Sequence, residues 1–471
     1  METREISTSS GRLSGRLLLA VCIAALGGFL FGFDSAIING GVDAIQLAFD
    51  LSPGMLGVAV SCALLGAALG AWYAGVFAER VGRVRTMLIA AGLLAVAAIG
   101  SAFAFSVWDL ILWRFVGGVG VGFASVIAPA YIAEVAPAHL RGRLGTLQQL
   151  SLVTGIFLAL LVGAALARVA GGAAEPWLGL AAWRWMLLSA LLPSIVYGAL
   201  ALSLPESPRY LVEKNRPDEA RRVLTGFVGI ASGPAVEQKI EEIQQTVDTE
   251  HRQRFSDLLG GRFGLKTIVW AGILLSVLQQ FVGINVIFYY STTLWKSVGF
   301  QESDSFTISV ITSLTNLVST VIAIALVDIL GRKLLLMIGS VVMTVSLGTM
   351  AIAFSQATTV DGALSLPDPW GVIALIAANL FVVGFAASWG PLVWLLLGEM
   401  FPNRIRAMAL GIGGAAQWVA NFVVTATFPV LSAASLALAY GLYAGFALIS
   451  FFVVRLMIRE TKGRELEDMV A

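Results

Sequence analysis

The sequence predicts an all-α membrane protein in which twelve membrane-spanning helices form two six-helix halves related by a pseudo-twofold axis. Composition is the first reason. Of 471 residues, 58% are hydrophobic and 13% are charged, and the mean hydropathy is +0.86, which excludes a soluble domain of this length. The second reason is a set of twelve apolar runs, each long enough to cross about 30 Å of hydrocarbon. The third is a charged motif that occurs once in each half of the chain.

The twelve predicted spans follow one another with short connections except at one point. They lie at 17–40, 56–78, 85–105, 108–133, 146–167, 183–203, 266–289, 305–327, 334–354, 371–398, 407–428 and 437–458. A polar segment separates the sixth span from the seventh, and its weak helical periodicity predicts short surface helices at 208–228 and 234–250. The predicted organisation is a tail at 1–16, a six-helix bundle at 17–204, a linker at 205–262, a second bundle at 263–459 and a tail at 460–471.

The distribution of basic residues predicts the orientation in the membrane. Lysine and arginine concentrate in the two tails, the linker and every second connection, while the alternate connections hold few of them. By the positive-inside rule we expect both termini and the linker to be cytoplasmic in a multi-pass protein of the cell inner (plasma) membrane.

Composition and motif content disfavour several classes of function. The net charge is +1, so no bulk attraction to nucleic acid is expected. The linker contains neither a phosphate-binding P-loop nor a dinucleotide-binding glycine motif, which disfavours transport driven by ATP. No nucleophile with a base and no set of metal ligands lies at membrane depth, which disfavours an enzyme, and we expect no cofactor or metal. Cys22 and Cys62 both lie in apolar runs and are expected to pack there.

The repeated charged motif falls at the cytoplasmic ends of the predicted spans. Glu134 and Arg141 recur 265 positions later as Glu399 and Arg406, so the chain is a duplicated structure. The equivalent sets are Arg83, Glu134, Arg141 and Glu206 in the first half, and Arg332, Glu399, Arg406 and Glu460 in the second. We predict that these charges form a cytoplasmic gate, because opposite charges can bridge helices in one state and part in another. The alternative is that they only set topology, although orientation by itself needs no acids.

Two ionisable side chains lie well inside the predicted spans, Asp34 in the first and Arg114 in the fourth. Each costs on the order of 2.5–3.5 kcal/mol at the centre of a membrane helix. Both stand about 10 Å from the outer ends of their spans at 1.5 Å per residue, so they share a depth and can pair. The functional interpretation is a proton site on Asp34 that responds to Arg114. The alternative is a structural ion pair.

Uncharged polar groups inside the spans indicate a binding cavity. The hydroxyls of a monosaccharide both donate and accept hydrogen bonds, so amides are suitable partners, with an aromatic ring for the C–H face of the sugar. Gln279, Gln280 and Asn285 would point to different faces of a straight seventh helix. Gly283 lies between them and predicts that the helix breaks or unwinds there. Taken singly, any of these amides could serve only as a hydrogen bond between helices.

These motifs together resemble the sugar porter family of the major facilitator superfamily over nearly the whole chain. The segments that carry the resemblance are Gly32-Phe33-Asp34, the Arg83 and Arg332 loops, Arg114, Pro205-Glu206-Ser207-Pro208-Arg209, Gln279-Gln280, Gly283-Ile284-Asn285, Gly390-Pro391 through Trp394, Glu399, and Glu460-Thr461-Lys462-Gly463. The resemblance implies that a monosaccharide is bound by Gln149, Gln279, Gln280, Asn285, Asn316, Trp394 and Gln417. It also implies proton symport, because family members with the aspartate and arginine pair are typically symporters, whereas facilitators usually lack the acid.

The sequence therefore predicts a transporter that imports a monosaccharide, a hexose such as glucose, together with a proton by alternating access. Its expected partners are the sugar, the proton and membrane lipid, and it is expected to function as a monomer. The alternatives are a facilitative uniporter, a pentose or inositol symporter, and a sugar sensor that does not transport. The short segment after the last span argues against the sensor, because sensors of this fold usually append a long signalling tail.

Overall fold

The computed structural model describes residues 15–136, 141–230, 233–250, 255–260, 264–360, 363–402 and 405–460. Within these ranges, twelve helices are long and apolar enough to cross a membrane, which confirms the predicted fold class. Numbered in chain order as spans 1 to 12, they are Gly15–Phe49, Pro53–Val81, Arg83–Ala102, Val107–Val135, Thr146–Ala170, Ala182–Ala201, Thr267–Ser297, Glu302–Val327, Arg332–Ser355, Trp370–Met400, Met408–Ala434 and Leu436–Met457.

The bundle has two ends that differ in what connects the spans. Because each half contains six spans, the linker between spans 6 and 7 lies at the same end as the first residues of span 1 and the last residues of span 12. We call this the linker end. The other end, where span 1 meets span 2 and span 7 meets span 8, is the opposite end.

Span 1 is longer than the sequence predicted. Its helix Gly15–Ile37 continues through a 3-10 turn, Ile38–Gly41, into the helix Val42–Phe49. The prediction stopped at 40 because the glycines and the acid that follow lower the local hydropathy, but they do not break the helix. The chain leaves the helix at Asp50, whose φ is 49°. Span 2 then starts from Ser52, whose hydroxyl accepts the Met55 N–H at 3.4 Å.

Spans 7 and 10 are interrupted near their middles. Span 7 consists of Thr267–Phe281, which we call span 7a, and Ile284–Ser297, which we call span 7b. The predicted break is present: Gly283, between the two, has a φ of +81°, a conformation that L side chains rarely adopt. Span 10 contains a π-helical turn at Phe385–Trp389, directly before Gly390 and Pro391, where proline removes one hydrogen bond of the helix.

Packing follows the internal duplication. Span 1 packs on span 5 in the first half, as span 7 packs on span 11 in the second. Across the interface between the halves, span 2 contacts span 11 and span 8 contacts span 5, which are equivalent pairs under the twofold relation. Spans 2 and 4 approach so closely that a Cβ on Gly118 would lie 2.0 Å from the carbonyl oxygen of Ala63. The small residues therefore serve as close-packing surfaces, as expected in membrane bundles.

Outside the bundle, the linker forms the surface helices expected from its periodicity. They are Pro208–Glu213, Pro217–Val223 with a π turn at Leu224–Val228, and Pro234–Glu250. Two short β-hairpins were not predicted and lie at the opposite end. They pair Pro176–Trp177 with Leu180–Ala181 and Thr358–Val360 with Ala363–Ser365.

Candidate functional site

Asp34 and Arg114 lie together inside the first half. The Nη1 group of Arg114 approaches the Oδ2 atom of Asp34 at 3.4 Å and donates a second hydrogen bond, at 3.1 Å, to the main-chain oxygen of Asp34. The Arg114 side chain is 4% exposed and that of Asp34 is 14% exposed. The geometry expected from their equal depth is therefore present, while the proton-binding role stays a prediction.

The charged pair lies close to the interface between the halves. Tyr289, in span 7b, has its hydroxyl beside Ser35 of span 1 and Asn421 of span 11, and it lies within electrostatic range of both Asp34 and Arg114. Ser35 directly follows Asp34 in the chain. Tyr289, a residue of the second half, therefore lies next to the chain segment that carries Asp34.

The three amides of span 7 form one hydrogen-bonded network. Asn285 Nδ2 donates to Gln280 Oε1 at 2.6 Å, and Gln280 Nε2 approaches Gln279 Oε1 at 3.4 Å. Gln279 Nε2 also donates to the main-chain oxygens of Trp389, at 2.8 Å, and Gly390, at 3.3 Å. A straight helix would separate these side chains, and the break at Gly283 allows Asn285 to reach back to Gln280.

The other predicted sugar ligands lie on spans that surround span 7. Asn316 of span 8 is buried, Gln149 of span 5 is partly buried, and Trp394 of span 10 is 43% exposed. Among the described residues, the buried Oε1 atoms of Gln417 and Gln148 have no hydrogen-bond partner. Buried acceptors are normally satisfied, so these two oxygens are available to an incoming hydroxyl.

Trp389, at the end of the π turn of span 10, joins two spans. Its side chain is fully buried, and its indole Nε1 donates to the main-chain oxygen of Leu336 and to the hydroxyl of Ser340, each at 3.0 Å. It therefore ties span 10 to span 9.

At the linker end, the predicted gate charges of the first half form a compact cluster. Arg83 contacts Glu134 at 2.9 Å, and the Ser207 hydroxyl donates to the same carboxylate. Glu206 accepts the N–H groups of Arg83 at 2.9 Å and Val84 at 3.3 Å. Burial raises the pKa of Glu206, against the opposing effect of these N–H groups.

The second half repeats this arrangement. Arg332 contacts Glu399 at 3.0 Å, and Glu460 accepts the N–H groups of Arg332 and Lys333, each at 3.0 Å. The side chains of Arg141 and Arg406 lie outside the part that the structure describes. All of these contacts join elements of the same half, so a bridge between the halves in the other state of the gate stays a prediction.

Contacts between the halves at the opposite end involve residues that the sequence analysis did not single out. Asn39 of span 1 donates to the main-chain oxygen of Phe288 and to Ser291, both at 2.9 Å, and accepts the Thr292 N–H at 3.1 Å. Asp43 contacts Lys296 at 2.8 Å. Two features of the sequence could have indicated these contacts. One is the amide of Asn39 at the end of a predicted span, and the other is the opposite charges of Asp43 and Lys296 in connections that hold few basic residues. These bonds join the two halves at the opposite end.

A family model described as "Sugar (and other) transporter" matches residues 20–471. The chain belongs to this family. The resemblance inferred from the motifs is thus confirmed, and the protein is a transporter, not an enzyme. Among the described residues, no group of three or more His, Cys, Asp or Glu side chains could hold a metal ion.

Named relatives of this family member transport monosaccharides. A glucose transport protein of Synechocystis sp. is 54% identical over 456 residues, which cover 96% of this chain and 97% of that protein. The D-xylose-proton symporter of Escherichia coli K12 is 34% identical over 486 residues, covering 95% and 94%. The arabinose-proton symporter of Bacillus subtilis is 32% identical over 456 residues, covering 97% and 94%.

Solved structures of the E. coli xylose transporter XylE share the fold of this transporter. The partially occluded inward open form superposes with a TM-score of 0.82 at 32% identity, covering 96% of this chain and all of that one. The inward open form gives 0.80 at 33% identity, covering 96% and 99%. XylE bound to 6-bromo-6-deoxy-D-glucose, described as a major facilitator superfamily proton:xylose symporter, gives 0.79 at 33% identity, covering 97% and 99%.

Proposed function

We propose that this protein imports a monosaccharide, with glucose as the first candidate, together with a proton by alternating access. The observation that carries the proposal is a buried carboxylate and guanidinium pair next to the interface between the halves. Such a pair suits a coupling proton, and the uncharged amide network of span 7 suits a neutral sugar. The relatives that transport glucose, xylose and arabinose agree with this substrate class.

The two bonds that Arg114 makes to Asp34 are compatible with proton coupling. The bond to the carboxylate weakens when Asp34 is protonated, whereas the bond to its main-chain oxygen does not depend on that charge. Arg114 therefore keeps its place while Asp34 loads and releases a proton. Span 1 also contacts span 7b through Ser35 and Tyr289, so a loss of charge can alter how the two halves meet.

The amide groups of span 7 can bind sugar because sugar hydroxyls can replace the hydrogen bonds that these amides make to each other. Gln280 and Asn285 bond to each other, and a sugar hydroxyl that donates to one and accepts from the other can be inserted between them. The buried Oε1 atom of Gln417 adds an acceptor. The exposed ring of Trp394 offers an apolar face for the C–H side of the sugar.

The orientation assigns these features to the two sides of the membrane. Both chain ends and the linker lie on the cytoplasmic side, because basic residues concentrate there. The opposite end is then extracellular, and the bonds of Asn39 and Asp43 to span 7b hold the outside shut. Rigid rotation of the halves opens one side as it closes the other. The proton is the coupling ion, no cofactor takes part, and a monomer suffices.

A panel of labelled sugars tests the proposal in proteoliposomes that contain the purified protein. We expect glucose to accumulate above its external concentration when an inward proton gradient is imposed, and only to equilibrate when that gradient is collapsed. Equal uptake in both conditions would contradict symport. Failure to transport any monosaccharide of the panel would contradict the substrate class.

A sugar uniporter is the second candidate. It is favoured by the bond from Arg114 to the Asp34 main chain, because a guanidinium held in that way can neutralise the acid permanently as a structural pair. The two candidates differ in one measurable property. A uniporter never accumulates sugar against its gradient, whatever the external pH.

A further inference from the structure

The ring of Tyr443, in span 12, packs directly on the break in span 7. A Cβ on Gly283 would lie 2.6 Å from Cδ2 of Tyr443, so the ring rests against the bare backbone of the turn. A second ring contact lies beside it, because Phe281 and Phe446 meet edge to face with centroids 4.8 Å apart. Span 12 therefore supports the turn at two neighbouring points.

The same aromatic cluster contacts span 7 again further along span 7b. Tyr443 meets Tyr440 edge to face at 5.9 Å, and Tyr440 meets Phe428 of span 11 at 6.5 Å. Phe428 in turn contacts Tyr290 at 5.2 Å. Tyr290 lies about two turns beyond Gly283, so rings support span 7b both at its start and in its middle.

The contact at the turn is made by the Tyr443 ring and not by its hydroxyl. In the part of the chain that the structure describes, this hydroxyl is buried without a hydrogen-bond partner. Phenylalanine would therefore keep the contact, whereas an aliphatic residue would remove the aromatic ring that packs against the turn.

We propose that Tyr443 is a positioning residue for the sugar site, acting through the Gly283 turn; this inference rests on the proposed function of sugar transport. The bond of 2.6 Å from Asn285 to Gln280 crosses this turn, so the separation of the two amides depends on its shape. A rigid turn fixes the positions of both amides, so that they match particular hydroxyls of the sugar. If the turn is less rigid, the site should bind sugar less tightly and discriminate less between sugars.

The test is calorimetric binding of glucose and of its 2-deoxy, 3-deoxy and 6-deoxy analogues to the purified full-length protein. We expect Tyr443→Leu to weaken glucose binding about fivefold, as for the loss of one net hydrogen bond. Binding of the analogue that lacks the bonded hydroxyl should change less, so the preference for glucose over that analogue should fall. Tyr443→Phe should behave as the wild type in both respects.

Phe354→Leu is the matched control, because Phe354 contacts Tyr440 at 5.1 Å and belongs to the same cluster, with the rings of Tyr440 and Tyr443 between it and the turn. It should lower thermal stability without changing the preference between sugars. If Tyr443→Leu is not recovered in folded form, Tyr443→Met takes its place.

Two outcomes would overturn the positioning role. One is an unchanged preference in Tyr443→Leu despite lowered thermal stability, which would mean packing alone. The other is an equal defect in Tyr443→Phe and Tyr443→Leu, which would assign the effect to the hydroxyl. A wild-type protein that binds no sugar of the panel would instead overturn the proposed function and, with it, this inference.

Discussion

The ion pair of Asp34 and Arg114 could be anticipated from the sequence because only two ionisable side chains lie well inside the spans. An unpaired charge is costly in hydrocarbon, and equal depth makes these two the natural partners. The second bond of Arg114, to the main-chain oxygen of Asp34, could not be anticipated, because it depends on how span 4 rotates against span 1. That bond does not depend on the charge of the Asp34 carboxylate.

Neutralising Asp34 separates binding from coupling. In Asp34→Asn we expect no accumulation of sugar driven by a pH gradient, while exchange of sugar across the membrane continues, because the amide resembles the protonated acid. The measurement compares uphill uptake with equilibrium exchange in the same proteoliposomes. Asp50→Asn is the matched control, since Asp50 directly follows span 1 and is exposed, and asparagine tolerates its backbone conformation. Accumulation that persists in Asp34→Asn would exclude this acid as the proton carrier.

The amide of Asn285 gives a second prediction for a single residue. Asn285→Ala removes the donor to Gln280 and one predicted partner of the sugar, so affinity should fall tenfold or more, as about 1–3 kcal/mol per lost hydrogen bond implies. Binding isotherms of the purified variants measure this. Asn379→Ala is the control, because the Asn379 amide donates within its own span, to the oxygen of Leu375. Equal affinity in the two variants would place the sugar elsewhere.

Gln279 shows where reasoning from the sequence stops. It was predicted as a sugar ligand on the same grounds as Gln280, but its Nε2 group already donates to two main-chain oxygens of span 10. Those acceptors lie far away in the sequence, at the π turn of span 10. Its contact with sugar stays a prediction, while its role in joining spans 7 and 10 is visible in the structure.

At the scale of elements, the gate acids also serve as caps. The first N–H groups of a helix lack acceptors within the helix. The carboxylate of Glu206 accepts them at the start of span 3, and that of Glu460 accepts them at the start of span 9. Both helices begin directly after a glycine of positive φ, Gly82 and Gly331. The sequence identified these acids as gate charges but not as caps, because each is distant in sequence from the helix it caps.

Removal of one cap should destabilise the protein measurably. Glu206→Ala leaves the N–H groups of Arg83 and Val84 without their acceptor, at a cost of about 1–3 kcal/mol. We expect a lower melting temperature of the purified protein in detergent. Glu219→Ala removes an exposed pair with Arg216 and should cost less than about 1 kcal/mol. Equal melting temperatures for the two variants would contradict the capping role.

Breaks in the helices were predictable where a residue type demands them. Gly283 could be recognised because it separates amides that must face one cavity, and glycine alone adopts its backbone conformation without strain. The π turn at Phe385–Trp389 is followed by Pro391, which cannot donate an N–H to the carbonyl oxygen of Ala387 four residues earlier, so a kink near this point was predictable. Its π-helical form is also stabilised by tertiary contacts such as the bonds of Trp389 to span 9, which cannot be read from local sequence.

At the scale of the whole molecule, the repeated motif was enough to predict two equivalent halves, and the packing of spans 1 with 5 and 7 with 11 agrees with it. Which end of the bundle is closed could not be predicted. The same spans serve both states of an alternating-access transporter, and the states differ only in contacts between the halves. In this structure, the bonds of Asn39 and Asp43 to span 7b are such contacts.

Asn39 makes three of these bonds, and its loss should shift the balance of states. Its side-chain amide donates to the main-chain oxygen of Phe288 and accepts the main-chain N–H of Thr292. These two groups are four residues apart, the spacing of a hydrogen-bonded pair in an α-helix, so Asn39 binds the backbone of span 7b. Asn39→Ala removes stabilisation from the state closed at the opposite end and leaves the other state unaffected. A difference of only ~1.4 kcal/mol changes the ratio of states tenfold.

The shift is measured by the reactivity of single cysteines placed at either end of the bundle, in a background that lacks Cys22 and Cys62. In Asn39→Ala, labelling at the opposite end should rise and labelling at the linker end should fall. Asn379→Ala, whose amide bonds within span 10, should leave both unchanged. Because the halves move as units, a true shift must change the two ends in opposite directions. A rise at the opposite end alone would indicate local fraying of span 7b and would contradict the role of Asn39 in holding the halves together.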